Sequence, residues 1–123
     1  AAWSLLLGSD TDSISFAAYS YFYKLILYPD LVKRFIKSGG ILAWGIVPTL
    51  NSDHIEKETA DSLVAAWEEQ FGAIQAIGID KSEILDQTLI TPSCGTGSLS
   101  LDHAKKVLVL TRQVSDIIRK KFL

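Results

Sequence analysis

The segment TPSCGTGS, residues 91–98, carries the only cysteine of the chain on a glycine-rich turn behind the apolar run Thr88–Ile90. A thiolate is a soft metal ligand and a nucleophile, and backbone N–H groups in such a turn favour the ionised form. Cys94 is therefore the first candidate for chemistry, as a metal ligand or as a nucleophile. The plainer alternative is a small residue that tolerates apolar surroundings. A metal site needs several ligands. The chain has no second cysteine and no His-x-Cys, and its two histidines, His54 and His103, fall early in predicted helices as surface or capping residues. A complete zinc site within this chain is not expected. A Cys–His–Asp nucleophilic set has little support, because Asp102 and His103 are adjacent and diverge on a helix, whereas such sets are made by geometry. The turn GTGS could cradle a phosphate with backbone N–H groups at a helix start. It is no Walker loop, since no Gly-Lys-Ser/Thr follows. Nor is it a dinucleotide fingerprint, since Ser100 stands where the third glycine belongs.

The elements that would position these residues can be read from periodicity. Trp3–Leu7 resembles the tail of a helix closed by Gly8. DSISFAAY is a short strand with Ile14 and Phe16 on one face. Pro29 suits the first turn of a helix to about Lys37, with Leu31, Val32, Phe35 and Ile36 as its apolar stripe and SGG as its stop. GGILAWGIVPT is a nearly continuous apolar run, the pattern of a strand buried on both faces. Residues 51–80 predict one long helix, with capping-box spacing at Asp53 and Glu56 and with Ile55, Thr59, Leu63, Trp67, Phe71 and Ile74 inward. Gly78 ends it. KSEILDQ reads as one helical turn and TLITPSC as a third strand. The last helix starts at Ser100 or Asp102, with Ala104, Val107, Leu108, Thr111, Val114 and Ile118 inward. Strands alternating with crossover-length helices imply βαβ units and a parallel sheet.

In such sheets, sites lie at the carboxyl ends of the strands. That rule selects Ala17–Tyr21, Val47–Asn51 and Thr91–Ser98, and within them Tyr19, Thr49, Ser93 and Gly95 as candidate substrate-binding residues. Glu56, Glu58, Asp61, Glu68 and Glu69 read as the solvated face of the long helix. Tyr19, Tyr21, Tyr23 and Tyr28 read as a packing cluster. Trp44 belongs in the core, where its indole N–H needs a partner.

The bulk numbers bound the function classes. The 123 residues suffice for one domain, and 48% hydrophobic residues give it a sizeable core. The net charge of -2 and the lack of a basic patch argue against a nucleic-acid partner. RKKF near the end complements the negative end of a helix. No apolar run approaches the roughly 20 residues of a membrane span. One cysteine excludes an internal disulfide and fits a reducing, cytoplasmic setting. The chain has no methionine, so the expectation is either an initiator methionine removed ahead of Ala1 or a piece of something longer. Three parallel strands are few for a whole α/β domain and leave two open edges. A missing segment or a second copy is the expected partner.

SISFAAY, LYPDLVKRFIKSGGILAWGIVPT, EKETADSL and LITPSCGTGSLSLDHAKKVLVLTRQVSDIIR, in that order, resemble the C-terminal part of the cobalamin-independent methionine synthase and uroporphyrinogen decarboxylase superfamily. The short methionine-synthase-like members are the nearest in pattern. GGILAWGIVPT and TPSCG are the more specific pieces. The resemblance spans essentially the whole chain and implies the last three strand–helix units of a (β/α)8 TIM barrel. It also implies a zinc ion that binds and activates an acceptor thiol for methyl transfer. Cys94 matches the family's last-strand ligand, and the family's His-x-Cys would precede Ala1. The chain departs from the methionine synthases in having no glutamate around ISFAAY, Ala17 where related sequences carry an acidic residue, and Thr96 where a leucine follows the glycine. The residues by which the decarboxylase branch binds its substrate would also precede Ala1. The resulting expectation is a fragment of a zinc-dependent, methyltransferase-like barrel acting on a small molecule, inactive alone. The alternatives are a non-enzymatic α/β module that self-associates through its sheet edges, and an anion-binding barrel half using TPSCGTGS.

Overall fold

The computed structural model describes residues 13–93 and 99–122. Three strands, β1 (Ser13–Phe16), β2 (Ile41–Val47) and β3 (Thr88–Pro92), form one parallel sheet in the order β1-β2-β3. Between β1 and β2 run α1 (Ala18–Ile26) and α2 (Pro29–Lys37). Between β2 and β3 run α3 (Ser52–Lys57), α4 (Ala60–Gln75) and α5 (Lys81–Asp86), and α6 (Leu101–Phe122) follows β3. The fold is α/β with a three-stranded parallel sheet, as the alternation predicts. The helix tail expected at Trp3–Leu7 lies outside the described residues.

Register decides which side chains share a face. Ile14 and Phe16 lie beside Leu42 and Trp44, and Ile90 lies beside Trp44 from the other flank. Ile14, Phe16, Leu42, Trp44 and Ile46 join the buried side chains of the helices in one core cluster, with Ile90 packed against it. The opposite sheet face carries Ser13, Ser15, Ile41, Ala43, Gly45 and Leu89. There Ser13, Ser15, Ile41 and Leu89 are exposed. β2 is buried from Leu42 to Val47, matching its continuous apolar run. Gly45 is roofed by its neighbours. A Cβ there would come within 2.6 Å of the Phe16 carbonyl oxygen and 2.8 Å of Ser93 Cα, so only glycine fits.

Aromatic side chains fill the space between the sheet and α4. Trp44 packs between Phe16, stacked Phe22 and Trp67, with ring centroids 5.7, 6.1 and 5.6 Å away. Trp67 stacks on Phe71 at 4.8 Å and meets Phe122 of α6 edge-on. The indole N–H of Trp44 donates to Gln70 Oε1 at 2.7 Å, and Gln70 Nε2 donates to the Ala18 carbonyl at 3.0 Å. One α4 side chain thus ties the middle strand to the start of α1.

Five details depart from the sequence reading or add to it. The aromatic-rich segment after β1 is a helix, α1, bent by non-helical dihedrals at Tyr21. The tyrosines do not form one packing cluster, because Tyr21 and Tyr23 are exposed and Lys24 Nζ sits 5.0 Å from the Tyr21 ring. The single helix expected within residues 51–80 is two. Glu58 and Thr59 are extended there, and Thr59 and Ser62 form a capping box that starts α4 afresh. Asn51, not Asp53, caps α3, accepting from the Asp53 N–H at 2.8 Å. Side-chain acceptors offer the backbone an alternative to continued helix, which is why the break falls at Thr59. In α6 the buried stripe is Val107, Leu110, Val114 and Ile118, while Leu108 is exposed. Pro29 at the first turn of α2 and the positive φ of Gly39 and Gly78 just past helix ends agree with the sequence. Among the described residues no helix is long and apolar enough to cross a membrane.

Candidate functional site

The carboxyl ends of the three strands bring part of the expected site together. Thr49, two residues beyond β2, is almost wholly buried, at 2% exposure. Its Oγ1 lies 3.0 Å from Ser93 Oγ, one residue beyond β3. Ser93 is held there because its N–H donates to the Val47 carbonyl at 2.8 Å, continuing the ladder past the irregular register between Gly45 and Val47. Two hydroxyls on adjacent strand ends share one hydrogen bond, which leaves one hydroxyl proton and spare lone pairs for a further polar group. Cys94 and Gly95 follow Ser93 directly and lie outside the described residues.

Tyr19 reaches a different partner. It sits in the first turn of α1, three residues past the end of β1. Its hydroxyl donates to Glu58 Oε2 at 2.9 Å. Ser62 Oγ donates to Glu58 Oε1 at 3.0 Å, and the His54 ring lies 5.3 Å from the Tyr19 ring. Burial is the main reason the Tyr19 phenol is pushed up to about 12. The hydrogen bond to Glu58 and the Glu58 charge add to it. At neutral pH Tyr19 is therefore a hydrogen-bond donor and not a base.

Glu58 is the residue that the sequence reading misplaced, since it was grouped with the solvated face of one long helix. The extended backbone at Glu58, φ -80° and ψ 144°, takes it off that helical surface and turns it to Tyr19. The signal lay in Thr59–Ser62, a second capping pair six residues beyond the one expected. Glu56 and Glu68 do stay at the surface, paired with His103 at 3.0 Å and with Lys121 at 2.6 Å. Gln70, which supports the start of α1, carries no local signature in the sequence.

Zinc was implied by resemblance alone. Among the described residues no group of three or more His, Cys, Asp or Glu side chains could hold a metal ion. Thr49 and Ser93 offer neutral hydroxyl oxygens, poor company for a thiolate-preferring ion. The described residues do not fit a zinc ion by themselves. No protein-family model, curated protein or solved structure matches the chain.

Proposed function

We propose that the chain is the C-terminal strand–helix portion of a methionine-synthase-like barrel and binds a small thiol substrate at the carboxyl ends of its strands. The supporting observation is the Thr49–Ser93 hydroxyl pair, 3.0 Å apart on adjacent parallel strands. This is the end of a parallel α/β sheet where ligands bind. In this reading Thr49 and Ser93 orient the polar part of the substrate. Tyr19, held protonated against Glu58, forms the neighbouring wall as a donor. Cys94, next to Ser93 in the sequence, is the residue through which zinc would enter, with its other ligands drawn from outside the described residues. The chain alone binds and orients, and does not turn over.

Nuclear magnetic resonance titration with a small thiol amino acid tests the reading. The expected result is a set of shifts centred on Thr49 and Ser93, weakened in Thr49→Val. A wild-type spectrum unmoved by the thiol, or shifts confined elsewhere, overturns it. A parallel zinc titration is expected to bind less tightly to Cys94→Ala than to wild type, and equal binding removes Cys94 as a ligand.

A further inference from the structure

A cleft of about 430 Å³ opens between β3 and α6, at the opposite end of the sheet from Thr49 and Ser93. Thr88, Leu89 and Ile90, the first three residues of β3, line one side. Ser115, Ile118 and Arg119, near the end of α6, line the other, and Leu85 of α5 completes the lining. Sites for small molecules run from about 300 to 1,000 Å³, and this cleft falls in that range.

The lining divides by chemistry. Leu85, Leu89, Ile90 and Ile118 supply apolar surface. Leu89 is 53% exposed, so a large apolar side chain stands open to what enters the cleft. The polar part is compact. Ser115 and Arg119 are four positions apart on α6 and so share one face of it. Neither has a hydrogen-bond or ion-pair partner among the described residues. The nearby carboxylates are engaged elsewhere, Asp116 with Arg112 at 3.9 Å and Glu83 with Lys37 at 3.8 Å. Thr88 contributes lone pairs only, because its hydroxyl donates to the Ile84 carbonyl at 2.6 Å. Among the described residues that line the cleft, Arg119 is the one charged side chain.

These groups specify a ligand class. A guanidinium presents a planar fork of donors that matches a carboxylate, and a serine hydroxyl adds one more donor. One positive charge balances one negative charge, whereas a phosphate monoester would bring nearly two. Four apolar walls require an apolar tail, which an inorganic anion lacks. We propose that the cleft binds a small monocarboxylate with an apolar tail, such as a medium-chain fatty acid. Arg119 and Ser115 hold the carboxylate, and Leu85, Leu89, Ile90 and Ile118 cover the tail. The site lies away from the carboxyl ends of the strands, and the inference does not depend on the thiol reading above.

Nuclear magnetic resonance titration of the chain with octanoate, and with octanol as its uncharged counterpart, tests it. Octanoate is expected to shift the amides of Thr88–Ile90 and Ser115–Arg119 and to leave Thr49 and Ser93 unmoved. It is expected to bind about tenfold more tightly than octanol, the worth of hydrogen bonding to a charged group. Arg119→Gln should weaken octanoate by about tenfold and leave octanol unchanged, and Ser115→Ala should weaken octanoate by about threefold. Arg119 is exposed, so its exchange leaves folding intact, and far-ultraviolet circular dichroism checks this. The comparison of octanoate with octanol needs no variant. Octanoate that leaves the cleft amides unmoved overturns the inference, as do shifts centred on Thr49 and Ser93 instead. So does octanol that binds as tightly as octanoate, which would make the cleft merely apolar, or an octanoate affinity indifferent to Arg119→Gln.

Discussion

Two buried tryptophans differ in one hydrogen bond, and that difference is measurable. Trp44 gives its indole N–H to Gln70, whereas Trp67 Nε1 is buried with no partner among the described residues. Replacement by phenylalanine removes comparable apolar surface in both cases. At Trp44 it also strands the Gln70 oxygen, while at Trp67 it removes an unsatisfied donor. Trp44→Phe is therefore expected to cost about 1–3 kcal/mol more than Trp67→Phe in urea unfolding. Equal costs would show that the two indoles are satisfied alike. Tyr19 makes a prediction in pH. Its folded pKa of about 12 lies above its ordinary value of 10.0, so the folded state holds the proton more tightly. The stability this contributes is complete below pH 10 and is lost as the pH rises from about 10 to 12. In an ultraviolet phenolate titration one tyrosine should ionise late, and Glu58→Gln should bring it earlier. A Glu58→Gln variant whose late tyrosine is unmoved would leave burial as the whole cause.

At the scale of elements, two local features decide whether the strand ends meet. The break between α3 and α4 depends on Thr59, whose hydroxyl accepts the Ser62 N–H at 3.1 Å while Ser62 Oγ accepts the Thr59 N–H at 2.8 Å. Thr59→Ala is expected to cost about 0.5–2 kcal/mol by loss of the cap. It should also loosen Glu58, so the late phenol ionisation should shift with it. Gly45 is the second feature. A methyl group there meets the backbone of both flanking strands, and backbone cannot swing aside like a long side chain. Gly45→Ala is expected to destabilise by about 1–3 kcal/mol, read by chemical unfolding, and to disturb Ser93 before it disturbs the helices. Unchanged stability would mean that β1 and β3 can part at no cost. The sequence marks Gly45 only as a glycine inside an apolar run, a pattern that signals close backbone approach without saying whose.

Among the described residues the molecule is a sheet with its large side chains committed to one face and with β1 and β3 as its outer strands. Val32, Phe35, Ile55, Leu63, Trp67, Val107 and Val114 all bury against the side of the sheet that carries Ile14, Leu42 and Ile46. The other side keeps the small residues Ala43 and Gly45 in its middle strand and leaves Ile41 and Leu89 exposed. Parallel strands are ordinarily covered on both faces. A (β/α)8 barrel would enclose that second face.

By itself the sequence determined the alternation of strands and helices, the parallel sense of the sheet, the positions of Pro29, Gly39 and Gly78 at helix ends, and the burial of Trp44. Each follows from local periodicity or from a residue with a restricted backbone. Only the tertiary structure decided that Thr49 meets Ser93 across 44 positions and that Tyr19 meets Glu58 across 39. It also decided that Gln70 holds Trp44 and that Leu110, not Leu108, faces the core. The helix break at Thr59 was written in a capping pair, but a continuous apolar rhythm from Ile55 to Ile74 concealed it. The physical reason is common to all of these. Spacing along a chain fixes which side chains share one face of one element, whereas partners across elements depend on register, on where a helix breaks and on which small residue lets two backbones close.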